Sequence, residues 1–514
     1  MISTSSSPKR IAKVSSDSTA IGFDLLSSLT YMAVLAIGSL PRDRILEQCA
    51  RQNSKTSVYF HYILRLVKRV GMEYTRAFQL VSQRAGADNV KSLLLRFAAS
   101  ISSGESEQDF IVQETKAEGE RYAALYDRSV ENLRKWTDAY AAILISVTLI
   151  MVVSLVSSML GSIDQNFVIL MAFTLFFITT IGVYVIYKSA PVEQITYDRR
   201  ISASGSWRLL IALAPLGVIL ATLLGPRFGL VDGFAVGFSV IGLSLAPAGF
   251  LAMRGSARVS KLDSELPTFL RSLGTVAGAT GFTVTQALTK IDTKSMGTLK
   301  TYINRLNTRL AARLPVRRCW DRFRDETRSE LVSRTTHMLM DGAELGGQPE
   351  QVGQICSEYA LKVTQMRAKL SLTSSTFSYL AVPMHATTTF ILVFVLHIIA
   401  GFNQKLGNVT LTSGRTPGQK VTDLVTLDAP STAVSDPGAA AGDLRIFEAQ
   451  DLSVVTVTIL VVIVILTVSN SLAPKFASGG SNLMIASYMS IMCLISGAVL
   501  AVVPFLVSKI FTGA

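Results

Sequence analysis

The sequence predicts an all-α, polytopic membrane protein with about seven transmembrane helices and two duplicated cytoplasmic helical-bundle modules. Three observations carry that prediction. The mean hydropathy is +0.41, and the apolar residues gather in runs close to the roughly 20 that a helix needs to cross a bilayer. Between the runs lie two long polar blocks rich in helix formers and without the alternation of strands. Finally, "LLLRFAASISSGESEQDF" from Leu93 and "LVSRTTHMLMDGAELGGQ" from Leu331 repeat one pattern. Each carries an arginine with a glycine eight residues later, Arg96 with Gly104 and Arg334 with Gly342.

Residues 1–20 are Ser-rich and polar, lack the apolar core of a signal peptide, and read as a disordered N-terminus. The first module covers 21–138. Its apolar stretch Leu25–Leu40 is short and amphipathic and is flanked by Asp24 and Pro41, so it is predicted as a buried core helix, not a span. Tyr122, Tyr126, Val130, Leu133, Trp136 and Tyr140 recur every three or four residues, which places them on one face of a long helix. Residues 139–253 hold four spans, at Ala141–Leu160, Phe167–Tyr187, Leu209–Leu224 and Gly233–Met253. The third is short and is anchored by Trp207. The second module covers 254–375 and ends on a second stripe, Val352, Ile355, Tyr359, Val363, Met366 and Leu370. A fifth span, Phe377–Ala400, fills 376–400, and 452–508 supply the last two, Val454–Ser471 and Leu483–Val507.

The positions of Lys and Arg set the orientation. With the N-terminus inside, 43 of the 49 basic residues lie on the cytoplasmic side, so the C-terminus is outside. The loop 401–451 is then extracytoplasmic, rich in Gly, Pro, Ser and Thr, and too polar to bury a core. It holds the sequon Asn408-Val409-Thr410, a glycosylation acceptor on that face.

The repeated Arg/Gly pattern reads as one helix-and-turn of each module, the glycine supplying a left-handed turn or C-cap. Its acidic neighbours, Glu105 and Glu344 among them, face water where helices end and are candidate partner contacts. The strongest charge feature is Arg305, Arg309 and Arg313, spaced i, i+4, i+8 before Pro315. It reads as a solvated face, as a docking stripe for the acidic rim of an ATPase, or as a contact for anionic lipid heads. Few aromatics are interleaved with these arginines, which argues against nucleic acid.

Enzyme chemistry has no foothold in the motifs: there is no G-x-x-x-x-G-K-[ST], no G-x-G-x-x-G and no H-E-x-x-H. The four cysteines form no C-x-x-C pair, so no metal site and no cofactor is expected. Apart from His385 and His397, the span interiors carry no basic or acidic residue, which argues against an ion-coupled carrier. A lone histidine is expected to be structural.

"LTYMAVLAIGSLPRDRI" (Leu29–Ile45), "LLRFAASISSGE" (Leu94–Glu105) and "WTDAYAAILISVTLIMVVSLVSSML" (Trp136–Leu160) carry a resemblance to a known family. They are similar to type II secretion F-domain proteins, the inner-membrane platforms of type II secretion systems and type IV pili. Within that family they look like the archaeal branch that assembles archaella and adhesive pili, whose members also exceed the usual three spans of the bacterial pilus branch. The resemblance implies a non-enzymatic platform under a growing filament. It also implies coupling to a hexameric cytoplasmic ATPase, movement of pilin-like subunits out of the membrane, and a homodimer. Two other classes compete with it: the permease subunit of an ATP-driven transporter, and a membrane sensor with the 401–451 loop as receptor.

Overall fold

A computed structural model of the chain describes residues 18–52, 54–159, 165–191, 205–224, 229–281, 283–291, 296–413 and 452–512. Residues 1–17 and 414–451, which include most of the expected N-terminal tail and external loop, lie outside the described residues. The described chain is all-α, with sixteen α-helices and no strand. In order they are α1 (Ser18–Ile37), α2 (Arg42–Arg51), α3 (Ser57–Val70), α4 (Tyr74–Gln83), α5 (Asp88–Ser103) and α6 (Glu107–Met159). Then come α7 (Gln165–Ser189), α8 (Gly205–Leu224), α9 (Leu230–Thr280), α10 (Val284–Ala287), α11 (Leu299–Ala311) and α12 (Val316–Thr327). The chain closes with α13 (Glu330–Glu344), α14 (Pro349–Ser413), α15 (Leu452–Ser478) and α16 (Met484–Thr512).

Six of these helices are long and apolar enough to cross a membrane: α6, α7, α9, α14, α15 and α16. The third expected span falls on α8, whose 20 residues reach the length of a crossing and contain Pro215, with Ala212–Leu224 as its continuous apolar stretch. Three of the six run far beyond the membrane. α6 has 53 residues, α9 has 51 and α14 has 65, so each expected limit between module and span lies inside an unbroken helix. The helix α14 also continues through the start of the expected 401–451 loop.

The duplication is explicit in the backbone. The starts of α2 and α10 (Arg42, Val284), α3 and α11 (Ser57, Leu299), α4 and α12 (Tyr74, Val316), α5 and α13 (Asp88, Glu330) and α6 and α14 (Glu107, Pro349) are each 242 residues apart. Left-handed turn positions repeat at the same interval: Ser39 with Gly281, Gly71 with Arg313, Gly104 with Gly346. The chain bends at matching places because these residues leave the right-handed helix at matching places.

In the first bundle α1 lies antiparallel to α6. Thr115 donates from Oγ1 to the Leu29 carbonyl at 3.1 Å, and Gly22 lets the Tyr122 ring approach. The short α4 and α5 close the core through Phe78 stacked on Phe97 (5.3 Å) and Phe97 edge-on to Phe110 (4.8 Å). Such ring pairs add about 0.5–1.5 kcal/mol each beyond the area they bury. The helix α1 is buried nearly all round, not on one stripe, because the second bundle covers the side that α6 leaves open. On α6 the expected stripe holds except at Trp136, which is exposed, with Thr137 in the buried position.

In the second bundle the far half of α9 lies antiparallel to α14. The two helices touch at Gly274 and Gly353, where an added Cβ on either would come within 2.8 Å of the other's Cα. Ser357 donates to the Pro267 carbonyl at 2.8 Å along the same contact. The helices α6 and α14 run parallel, tied by Asp127 and Lys369 at 2.7 Å. Inside the membrane part, Gly242, Gly249 and Gly497 draw α9 and α16 together, and Ser490 donates to the Gly242 carbonyl at 2.8 Å.

Candidate functional site

Three places gather polar chemistry: the tips of the bundles, the seam between them, and a buried network in the membrane part.

The tip of the second bundle is the turn from α11 to α12. Glu265 on α9 starts α11 by accepting from the amides of Thr298 (3.0 Å) and Leu299 (2.8 Å), which supplies the carboxylate a helix N-terminus favours. Leu299, Tyr302, Ile303 and Leu306 face the core, where Trp320 and Phe323 meet edge to face. The expected arginine stripe does not form one face. Arg305 is exposed and lies over the Tyr302 ring, but Arg309 is half-buried and ion-paired with Glu326. Arg313 lies beyond the end of α11, in a left-handed conformation with φ 57°. The periodicity was sound for one turn; the helix ends before the third arginine. What the tip does present is Arg313, Arg317, Arg318 and Arg322 around Leu314, which is 50% exposed, and Val316.

The tip of the first bundle, at the equivalent turn from α3 to α4, repeats this composition with Lys68, Arg69 and Arg76 around Val70, which is 64% exposed. Its turn residue is Gly71, φ 70°. Both tips stand at the far ends of the long helices. Arg42, which lies over the ring of Tyr74 at the start of α4 (5.4 Å), links the first to Glu107 at the start of α6 (3.2 Å), and Arg317 joins the second to Glu344 just before α14 (3.0 Å). At 1.5 Å per residue, Glu107 is about 50 Å of helix from Tyr140, and Pro349 about 40 Å from Phe377, where the apolar segments begin.

The repeated Arg/Gly pair also needs correction. Arg96 donates to Glu114 within the first bundle, and Gly104 is the left-handed cap of α5, as expected. Arg334 instead crosses between bundles, 2.8 Å from Asp24 and 2.7 Å from Glu330, with the Phe23 ring 5.0 Å away. Gly342 is no turn. It is buried inside α13 against Val34 and Val352, and the cap equivalent to Gly104 is Gly346. The two sequence patterns match letters that are one helical turn out of structural register. Glu105 is exposed beside its cap, and Glu344 holds Arg317. The side chain of Asn408 lies outside the described residues.

At the seam, Asp341 is the hub. Its Oδ2 accepts from the Tyr31 hydroxyl at 2.6 Å and is 3.1 Å from His337 Nδ1, and its Oδ1 is 3.8 Å from Arg317. Burial and the Asp341 charge push the Tyr31 phenol well above its ordinary range. Burial holds the His337 imidazole below its usual value, against the pull of Asp341. Nearby on α6, burial raises the Glu118 carboxyl, with Arg121 at 3.6 Å pulling it down.

The third place was invisible to a search for charge. Tyr140 (α6) donates to Asn470 Oδ1 (α15) at 2.9 Å, and Asn470 Nδ2 reaches His385 Nδ1 (α14) at 3.2 Å. His385 Nε2 meets Ser496 (α16) at 2.9 Å, and Ser496 meets Thr467 (α15) at 2.8 Å. One assignment satisfies every group: a neutral imidazole protonated on Nε2, Ser496 donating to Thr467, and Thr467 donating to the Ile463 carbonyl at 2.7 Å. His385 is the hub of a four-helix knot. His397 bonds the Val393 carbonyl at 2.9 Å. Among the described residues no group of three or more His, Cys, Asp or Glu is placed to hold a metal ion.

This chain is similar to two proteins named Flagella accessory protein J. The one from Methanocaldococcus jannaschii is 25% identical over 364 residues, 68% of this chain and 63% of that protein. The one from Methanococcus voltae is 24% identical over 363 residues, with the same shares. The chain thus spans less than two thirds of the length of these curated relatives. No family model matches it, and no solved structure matches it.

Proposed function

We propose that this chain is the non-enzymatic membrane platform of an archaeal filament-assembly machine, an archaellum or a related type IV pilus. It lies in the cell membrane with both bundles and the N-terminus in the cytoplasm and the C-terminus outside. A cytoplasmic assembly ATPase docks on the bundle tips, and filament subunits leave the bilayer around the spans. A homodimer of the chain is the working unit in this reading.

The observation that carries it, beside the two relatives, is the pair of unbroken helices α6 and α14 that lead from exposed basic tips into the membrane. A rigid-body movement at a tip has a direct path along them to the spans. Arg313 adds weight to the docking role. It holds a left-handed conformation that its counterpart fills with Gly71, and strain of about 1–2 kcal/mol retained at a surface arginine points to use of the side chain. Anionic lipid heads are a poor partner for the tips, since about 40–50 Å of helix separates them from the bilayer and the Debye length is about 8–10 Å.

The test is ATP turnover by the cognate assembly ATPase, with and without this protein in nanodiscs, using wild type and an Arg313/Arg317/Arg318→Gln variant. Binding and an altered turnover that the variant loses support the reading. Wild-type protein that neither binds nor alters turnover at low salt sinks it.

A further inference from the structure

Arg317 has two sides. It stands in the first turn of α12 and is 76% exposed, with Leu314, Val316, Arg313 and Arg318 beside it. On its inner side the guanidinium donates to Glu344 at 3.0 Å and is 3.8 Å from Asp341. Asp341 in turn holds the Tyr31 hydroxyl across the seam at 2.6 Å. Tyr31 belongs to α1, which lies along α6, so the chain of contacts runs from the tip of the second bundle into the first.

We infer that Glu344 is an internal competitor for Arg317: an acidic protein surface that docks on this tip takes the guanidinium from Glu344 and so loosens Asp341 from its partner on the tip. The inference rests on the docking reading above and reverses the expectation that Glu344 itself contacts the partner. An exposed pair of this kind is weak, about 0.2–1 kcal/mol, which is what an exchangeable arm requires. The incoming carboxylates gain an arginine already oriented by α12 and flanked by further cations and two exposed apolar side chains. When Arg317 leaves, Asp341 keeps Tyr31 and His337 but loses its nearest tip cation. Docking is then felt on α1.

The full-length protein in zwitterionic nanodiscs is titrated with the cognate assembly ATPase and, separately, with a polyglutamate peptide. Glu344→Gln is expected to tighten both by about two- to fivefold, the weight of one exposed pair. Arg317→Gln is expected to weaken both, and Glu344→Gln to have no effect in that background. Amide hydrogen exchange around Tyr31 is expected to change on binding in wild type and to stay unchanged in Arg317→Gln. Weaker or unchanged binding by Glu344→Gln overturns the inference, as does the same effect with and without Arg317. Equal binding of phosphatidylglycerol vesicles or duplex DNA overturns it as well, since neither offers a carboxylate surface. If polyglutamate follows the pattern and the ATPase binds no variant, the motor reading fails while the exchange of Arg317 stands.

Discussion

Asn470→Leu is the sharpest probe of the membrane part. Leucine keeps the branched outline of asparagine and is at home in a bilayer, so neither a cavity nor misinsertion is introduced; its bulkier methyls crowd a fully buried site, a cost that Asn470→Leu shares with its double variant and that drops out of their comparison. The hydrogen bonds lost are two, from the Tyr140 hydroxyl at 2.9 Å and to His385 Nδ1 at 3.2 Å. Both groups are then left buried without that partner. Hydrogen bonds between helices in membranes average about 0.6 kcal/mol and reach about 1.7, so two of them come to about 1–3 kcal/mol. Tyr140→Phe removes one bond and is expected to cost roughly half as much. In the double variant the phenol left unpaired by Asn470→Leu is gone, so the double variant is expected to be no less stable than Asn470→Leu alone. Reversible unfolding in mixed micelles measures all three. A cost for Asn470→Leu below about 0.5 kcal/mol, or simple addition of the two single effects, refutes the network as a source of cohesion.

Three further outcomes follow from the bundles. Arg313→Gly is expected to stabilise the protein by up to about 1 kcal/mol, by relieving the left-handed backbone, while weakening docking; thermal unfolding and ATPase binding check the two halves. Gly353→Ala is expected to cost about 1–3 kcal/mol, because the new methyl meets the Gly274 backbone and not a movable side chain; denaturant titration reads it. Glu118→Gln is expected to stabilise at pH 7. The folded-state pKa of Glu118 is raised by burial, so its favourable contribution is complete only below the ordinary value of 4.5 and is lost as pH rises through the folded value. The advantage of the variant in melting temperature is therefore expected to vanish on acidification to that range, and an advantage that persists there refutes the assignment.

The long apolar runs made six of the spans legible, because a bilayer imposes one length on every crossing. Its reading as amphipathic and its flanking Asp24 and Pro41 excluded α1 as a span, although its burial on all sides comes from the second bundle, a contact no local pattern records. The duplication was legible but misaligned. Arg96 and Arg334 look equivalent by their neighbours, yet the register is set by backbone turns, where Ser39 stands for Gly281 and Arg313 for Gly71. Residue identity hides a turn that conformation reveals. The arginine stripe failed for a related reason: periodicity predicts a face only as far as the helix lasts, and α11 stops at Ala311. Asn470 escaped notice because a neutral amide in an apolar run carries no charge to flag it, and its partners come from two other helices.

The link between α6 and α14 has one more consequence. Asp127 and Lys369 are 242 residues apart, the interval that relates the two bundles, so they occupy the same position of the repeat. Two identical chains packed through this position in parallel would set like against like, acid on acid or base on base. With both copies in one polypeptide the two positions need not match, and here one holds an anion and the other a cation. The salt bridge is a mark of lost symmetry: it fixes which half is which, and a free-standing single copy would have no charge opposite to its own to meet there.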